Sequence, residues 1–222
     1  MSASTLSPGH AQRPVRRERR KQARPRELVD AALDLFVEKG FAATRAEEVA
    51  ARAGVSKGTL FLYFPSKEEL FKAVIRDNIA SHFPVWQQEM ALFQGSSADM
   101  LRLALVSWWE RVGQTRASGV VKLVMSEAQN FPDIAAYYQR EVIQPGSTLL
   151  REILARGVAS GEFRPMDLDR TVYTLVAPMI FLMMWKHSIG ACAPSAPIGD
   201  PQQFIALQID VLLHGLCAQA SP

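Results

Sequence analysis

Lys57, Gly58, Thr59, Phe61, Leu62 and Tyr63 lie in one short stretch that follows Gly54-Val55-Ser56. A lysine and a threonine at the start of a helix present hydrogen-bonding groups next to the helix's own unpaired N–H groups. Such groups recognise a polar edge rather than make or break bonds. An ammonium reaches guanine O6 and N7 or a phosphate, and a threonine meets a base edge or a thymine methyl. Phe61 and Leu62 offer apolar contact to thymine methyls or sugars. Tyr63, Lys67, the Thr44 hydroxyl and the nearby helix N-termini are suited to phosphate oxygens.

The elements that must position these groups are short helices. Glu47–Ala53, Gly54-Val55-Ser56 and Lys57–Tyr63 have helix-turn-helix dimensions. Ala50 is small where the two helices cross, Gly54 permits a positive φ in the turn, and Val55 and Leu60 plug the core beneath. Before them, Leu28, Ala32, Leu35 and Phe36 follow helical spacing over 26–39, with Pro25 in the first turn and Gly40 as a left-handed stop. Thr44 to Glu47 reads as a capping box with Thr44 as N-cap, and Ser66 to Glu69 as a second one opening a helix toward Ala80. Further helices are expected at about 99–115, 117–129, 133–158, 168–187 and 202–217. Strand alternation is absent. A boundary between a small N-terminal unit (25–80) and a larger one (81–222) falls near Ser81–Trp86, where Pro84 interrupts the pattern. Ala191 to Pro201 reads as a surface loop.

The run Leu33-Asp34-Leu35-Phe36-Val37-Glu38-Lys39-Gly40-Phe41, then Thr44, then Val49-Ala50-Ala51-Arg52-Ala53-Gly54-Val55-Ser56-Lys57-Gly58-Thr59-Leu60-Phe61-Leu62-Tyr63-Phe64-Pro65-Ser66-Lys67-Glu68-Glu69-Leu70 closely resembles the DNA-binding domain of the TetR/AcrR family of bacterial transcriptional regulators. The resemblance covers about residues 26–76. It implies an all-α fold of about nine helices. An N-terminal three-helix helix-turn-helix DNA-binding domain would precede a C-terminal helical bundle for ligand binding and dimerisation. Two positions depart from the family pattern. Phe61 replaces a usual tyrosine and loses a phosphate-reaching hydroxyl. Arg45 replaces a usual threonine or serine and adds a cation near the DNA backbone.

Charge and composition narrow the partners. The 222 residues carry a formal +3, but residues 1–24 hold seven basic side chains and one acid, so the remainder is slightly acidic. A uniformly basic, histone-like protein is excluded. The tail, poor in large apolar residues, is expected to be disordered alone and to act as an arm along phosphates or in the minor groove. Cys192 and Cys217 form no disulfide framework or metal-ligand spacing, which fits a cytoplasmic protein without metal or cofactor. The longest apolar run, Val172–Trp185, is shorter than the roughly 20 residues a membrane span needs. No nucleophile–base pair or phosphate loop points to an enzyme.

Trp108, Met125, Phe131, Tyr137, Met179 and Met183 lie on successive helices and suit a pocket for a hydrophobic or aromatic small molecule. Glu127 among them suits a cationic group on such a ligand or an interhelical contact. The last two long helices, carrying Val172, Leu175, Phe204, Leu207, Val211 and Leu212, are expected to form a twofold homodimer interface, as the resemblance implies. These features describe a dimeric repressor that binds pseudo-palindromic operator DNA and is released by a small molecule, with the helix at 67–80 as its lever. A regulator without a small-molecule switch is the alternative. Deleting residues 1–22 is expected to weaken operator binding and flatten its salt dependence, measured as log affinity against log salt. An unchanged slope would make the tail a solvated leader.

Overall fold

The structure is a computed structural model. It describes residues 14–193 and 199–216, with side chains from Arg24 onward, and the tail residues 1–13 and Cys217 lie outside that range. Helix α1 spans Pro14–Lys39. It therefore begins well before Pro25, which sits inside it. Residues 14–24 were expected to be disordered because they lack apolar side chains. They are nonetheless rich in Arg, Lys, Glu and Gln, which are good helix formers, and extend a helix that packing has already nucleated. Gly40 ends α1 at φ 88°.

Helices α2 (Ala46–Arg52) and α3 (Lys57–Tyr63) follow, with Gly54 at φ 65° in the turn between them. The N-cap of α2 is Arg45, whose backbone N–H donates to Glu48 Oε2 at 3.1 Å, so the expected cap at Thr44 is displaced by one residue. Thr44 is buried instead. Its hydroxyl donates to the Gly40 carbonyl at 2.7 Å, with the Leu35 carbonyl at 3.2 Å, and closes the end of α1. Helix α4 (Lys67–Asn78) starts on Ser66, whose hydroxyl accepts the Glu69 N–H at 3.1 Å.

The second unit is a bundle of α5 (Phe83–Ala91), α6 (Ser97–Trp108), α7 (Ser118–Glu127), α8 (Pro132–Tyr138), α9 (Gln144–Ala159), α10 (Leu168–Lys186), the short α11 (Ile189–Cys192) and α12 (Pro201–Leu216). Helix α5 was not anticipated. Pro84, read as a break, occupies its first turn, where a missing N–H costs nothing. The single helix expected over 133–158 is divided by a π-helical turn, Gln139–Ile143. Pro145 has no N–H to offer the Glu141 carbonyl, and the backbone widens there. No β-strand occurs among the described residues.

The two units are docked, not merely tethered. Phe36, Phe41 and Phe71 form one aromatic cluster, with centroids 4.9–5.3 Å apart. Phe131, at the N-terminus of α8, places its ring edge-on to Phe41 at 4.7 Å. Gly119 on α7 meets Val37 so closely that a Cβ there would lie 2.6 Å from a Val37 methyl carbon. Arg116 pairs with Asp34 across the same seam. Gly119→Ala is therefore expected to destabilise the protein by about 1–3 kcal/mol, seen as a lower urea midpoint. An unchanged midpoint would mean that the seam yields freely.

Candidate nucleic-acid interface and effector cavity

Helix α3 divides cleanly into two faces. Leu60 is fully buried, and Val55 packs beside it on the core. Ser56 caps the helix, its hydroxyl accepting the Thr59 N–H at 3.1 Å and lying 2.9 Å from the Thr59 hydroxyl. Lys57, Gly58, Phe61 and Leu62 face outward, and Leu62 is 79% exposed. A leucine that exposed contributes nothing to the core. Thr59 and Tyr63 are half-buried at the edges of this face. Arg45 stands exposed at the start of α2. Gly58 has room for a side chain, with Ser56 Oγ 3.8 Å from an added Cβ, so packing within the protein does not require glycine there.

Acids accompany these cations. Lys57 Nζ lies 2.5 Å from Glu47 Oε1 and 5.7 Å from the Phe61 ring centroid. The hydrogen bond from Lys57 holds the Glu47 carboxyl below its ordinary range. Arg52 grips Glu38 with two bonds of 2.7 and 2.9 Å, and Lys39 pairs with Glu48 at 2.6 Å. Glu47 was read from sequence only as a capping residue. Its role beside Lys57 follows from the angle at which α2 and α3 cross, which spacing alone does not give.

Two expected phosphate ligands have other roles. Lys67 Nζ donates to the carbonyls of Phe41, Ala42 and Thr44 at 2.8, 3.2 and 3.0 Å and stands 4.5 Å from the Phe41 ring centroid. Its three N–H donors are spent clamping the α1–α2 loop. Thr44 is buried with its hydroxyl turned to α1.

In the bundle, a cavity of about 290 Å³ lies among α5, α6, α7, α8, α9 and α10. Trp108, Met125 and Met179 line it as expected. The other expected ligand contacts do not. Phe131 is committed to Phe41, and Tyr137 lies between Lys72 and Arg140. Met183 is fully buried away from the cavity wall. Glu127 accepts from the Asn130 amide at 3.1 Å and borders a separate polar cleft with Lys39, Lys122 and His187. Phe83, Trp86, Met90 and Tyr138 also line the main cavity. The first three lie on the unanticipated α5. The choice between Tyr137 and Tyr138 depends on a helical phase that the π-turn shifts.

The interface expectation also needs correction. Val172 and Leu175 belong to this chain's own core, and Val172 lines the cavity. The exposed large apolar residues of α10 are Tyr173 and Phe181, the former 65% exposed. On α12, Leu207 and Val211 are 63% and 62% exposed, whereas Phe204 and Leu212 are half-buried against the core. Taken together, Leu168–Cys192 is long and apolar enough to cross a membrane by length and composition, so the apolar segment is longer than expected.

A helix-turn-helix head docked on a helical body is the arrangement of a DNA-binding regulator. The family models for bacterial regulatory proteins of the tetR family and for the tetracyclin repressor-like C-terminal domain match residues 28–74 and 94–189. The chain belongs to the TetR family and is a DNA-binding transcriptional regulator, not an enzyme. It is similar to the HTH-type transcriptional regulator RutR of Escherichia coli K12, with 27% identity over 176 residues, 73% of this chain and 74% of the relative. The HTH-type transcriptional repressor KstR2 of Mycolicibacterium smegmatis is 26% identical over 183 residues, 82% of this chain and 86% of that one. A regulator from Saccharomonospora viridis, solved in complex with choline, shares the fold at TM-score 0.72 and 19% identity, covering 90% of this chain and all of the other.

Lys57 and Lys67 are expected to separate in mutants. Lys67→Met removes the donor shared by three loop carbonyls, leaving the Phe41 carbonyl only the Thr44 N–H, and should cost about 1–3 kcal/mol of stability in urea unfolding. Lys57→Ala should leave the urea midpoint unchanged and weaken DNA binding. The converse pattern would restore Lys67 as a phosphate ligand.

Proposed function

We propose that the chain is a homodimeric repressor that reads a pseudo-palindromic operator through α3 and is released when a hydrophobic small molecule enters the cavity. The observation that carries the dimer is α10. Its most apolar window, within Leu168–Cys192, has a mean hydropathy of 1.4, yet only 22% of it is buried in one copy of the chain. Tyr173, Ala177 and Phe181 repeat every four residues on its exposed side, and Leu207 and Val211 do the same on α12. A second copy, related by a twofold axis, covers both stripes at once. Burial against that mate accounts for the apolarity of α10 in a cytoplasmic protein, with no membrane.

A twofold dimer sets the two α3 helices on successive major grooves, about 34 Å apart. Lys57, Thr59, Phe61 and Leu62 then meet base edges and methyls, Gly58 lets the backbone approach, and Arg45 and Tyr63 reach phosphates. On docking, phosphate oxygens replace Glu47 as the partner of Lys57. Release uses α8. Phe131 at one end touches the head, and Tyr138 at the other lines the cavity. A ligand that displaces Tyr138 moves α8, and with it Phe41 and the stacked Phe71 on α4, the expected lever. A differential affinity of about 1–3 kcal/mol between the two conformers lowers operator affinity roughly 5–150-fold. The choline-bound neighbour supports a small-molecule role for this kind of body.

The double variant Leu207→Glu/Val211→Glu tests the dimer. It is expected to sediment as a folded monomer and to lose at least a hundredfold in operator affinity. A variant that stays dimeric and binds normally would contradict the interface.

A further inference from the structure

Two side chains that line the cavity are more than nine-tenths buried and carry hydrogen-bond donors. The Trp86 indole N–H has no hydrogen-bond partner among the described residues. Tyr138 is buried in the cavity wall, and burial alone pushes its phenol far above the ordinary value, so it remains a neutral O–H donor there. A buried donor without a partner is unfavourable, and an acceptor supplied from outside relieves that cost.

The wall carries no counter-charge. No Asp, Glu, Lys, Arg or His lines the cavity. The Arg111 guanidinium stands over the Trp86 ring, 5.9 Å from its centroid, and is bonded to Glu89 at 2.6 Å. An organic anion entering here loses its hydration and finds only neutral donors, a poor exchange for a charge. An organic cation gains from aromatic faces, but the Trp86 face already holds Arg111, which repels a second positive charge. Met90, Met125 and Met179 give the apolar part of the wall a shape that adapts to an irregular or flexible body. At about 290 Å³ the cavity lies at the small end of ligand pockets, which run from roughly 300 to 1,000 Å³.

Resting on the effector reading above, we infer that the cavity takes an uncharged small molecule, apolar along its body, with one acceptor oxygen held by the Tyr138 hydroxyl. Met125, more than half exposed, marks the mouth through which it enters.

Isothermal titration of the full chain with 1-decanol, decanoate and decyltrimethylammonium distinguishes a neutral, an anionic and a cationic head on the same body. Decanol is expected to bind at least tenfold more tightly than either ion. Tyr138→Phe is expected to weaken decanol about three- to tenfold and to leave the urea midpoint unchanged, because no internal hydrogen bond is lost. Tighter or equal binding of either ion, no binding of any of the three, or an unaltered decanol affinity in Tyr138→Phe would overturn the inference. Operator binding followed in parallel, on a duplex the protein has been shown to retain, keeps the two readings apart. Decanol that binds without releasing DNA leaves the cavity chemistry standing and removes the effector role. Decanoate that binds more tightly and releases DNA does the reverse.

Discussion

The contact on which the rest depends is the edge of Phe131 against Phe41. Phe41 lies in the loop that joins α1 to the helix-turn-helix, and its ring stacks on Phe71 of α4. Lys67 holds the same loop from the other side through three carbonyls. The orientation of α2 and α3 is thus tied to one aromatic cluster, which meets the short helix α8 through Phe131, beside the α1–α7 seam at Val37 and Gly119. Because α8 has only seven residues, its two ends are about 10 Å apart, and a displacement at Tyr138 cannot be absorbed along its length. A rigid connector of this kind is what a small change at a cavity needs in order to be felt at a DNA-reading surface.

Three cations of the head are paired within it. Arg52, Lys39 and Lys57 all stand in ion pairs with acids on neighbouring helices. Such exposed pairs add little to stability. They hold each of these cations against a carboxylate of the head itself. Lysine serves a second purpose in two places. Lys67 clamps the head loop, and Lys186 at the end of α10 donates to the Gly113, Gln114 and Thr115 carbonyls that end the π-turn after α6. In both positions an ammonium satisfies carbonyls that no helix can use.

Much of the head is legible in the sequence because its signals are local. Gly40 and Gly54 take positive φ, Ser56 and Ser66 cap, and Leu60 is buried, each for a reason visible within a few residues. The failures come where a side chain answers to a distant partner. Thr44 and Lys67 have the right types for phosphate binding, but the nearby α1 end and the α1–α2 loop use them first. In the bundle, every helix is apolar on more than one side, so periodicity does not separate cavity wall, core and interface. That is why Val172 and Leu175 were assigned to the interface while Tyr173 and Phe181 face outward, and why Trp86 and Tyr138 were passed over for Phe131 and Tyr137. Pro84 and Pro145 were opposite errors, one read as a break where it starts a helix, the other overlooked where it widens one.

In vitro selection from a random duplex library with the full-length protein tests the central claim most directly. A twofold dimer reading through α3 predicts enriched sequences that are inverted repeats, with half-site centres about one helical turn apart and each half-site specified by Lys57 and Thr59. Enrichment of a single unrepeated site, or of a direct repeat, would contradict it.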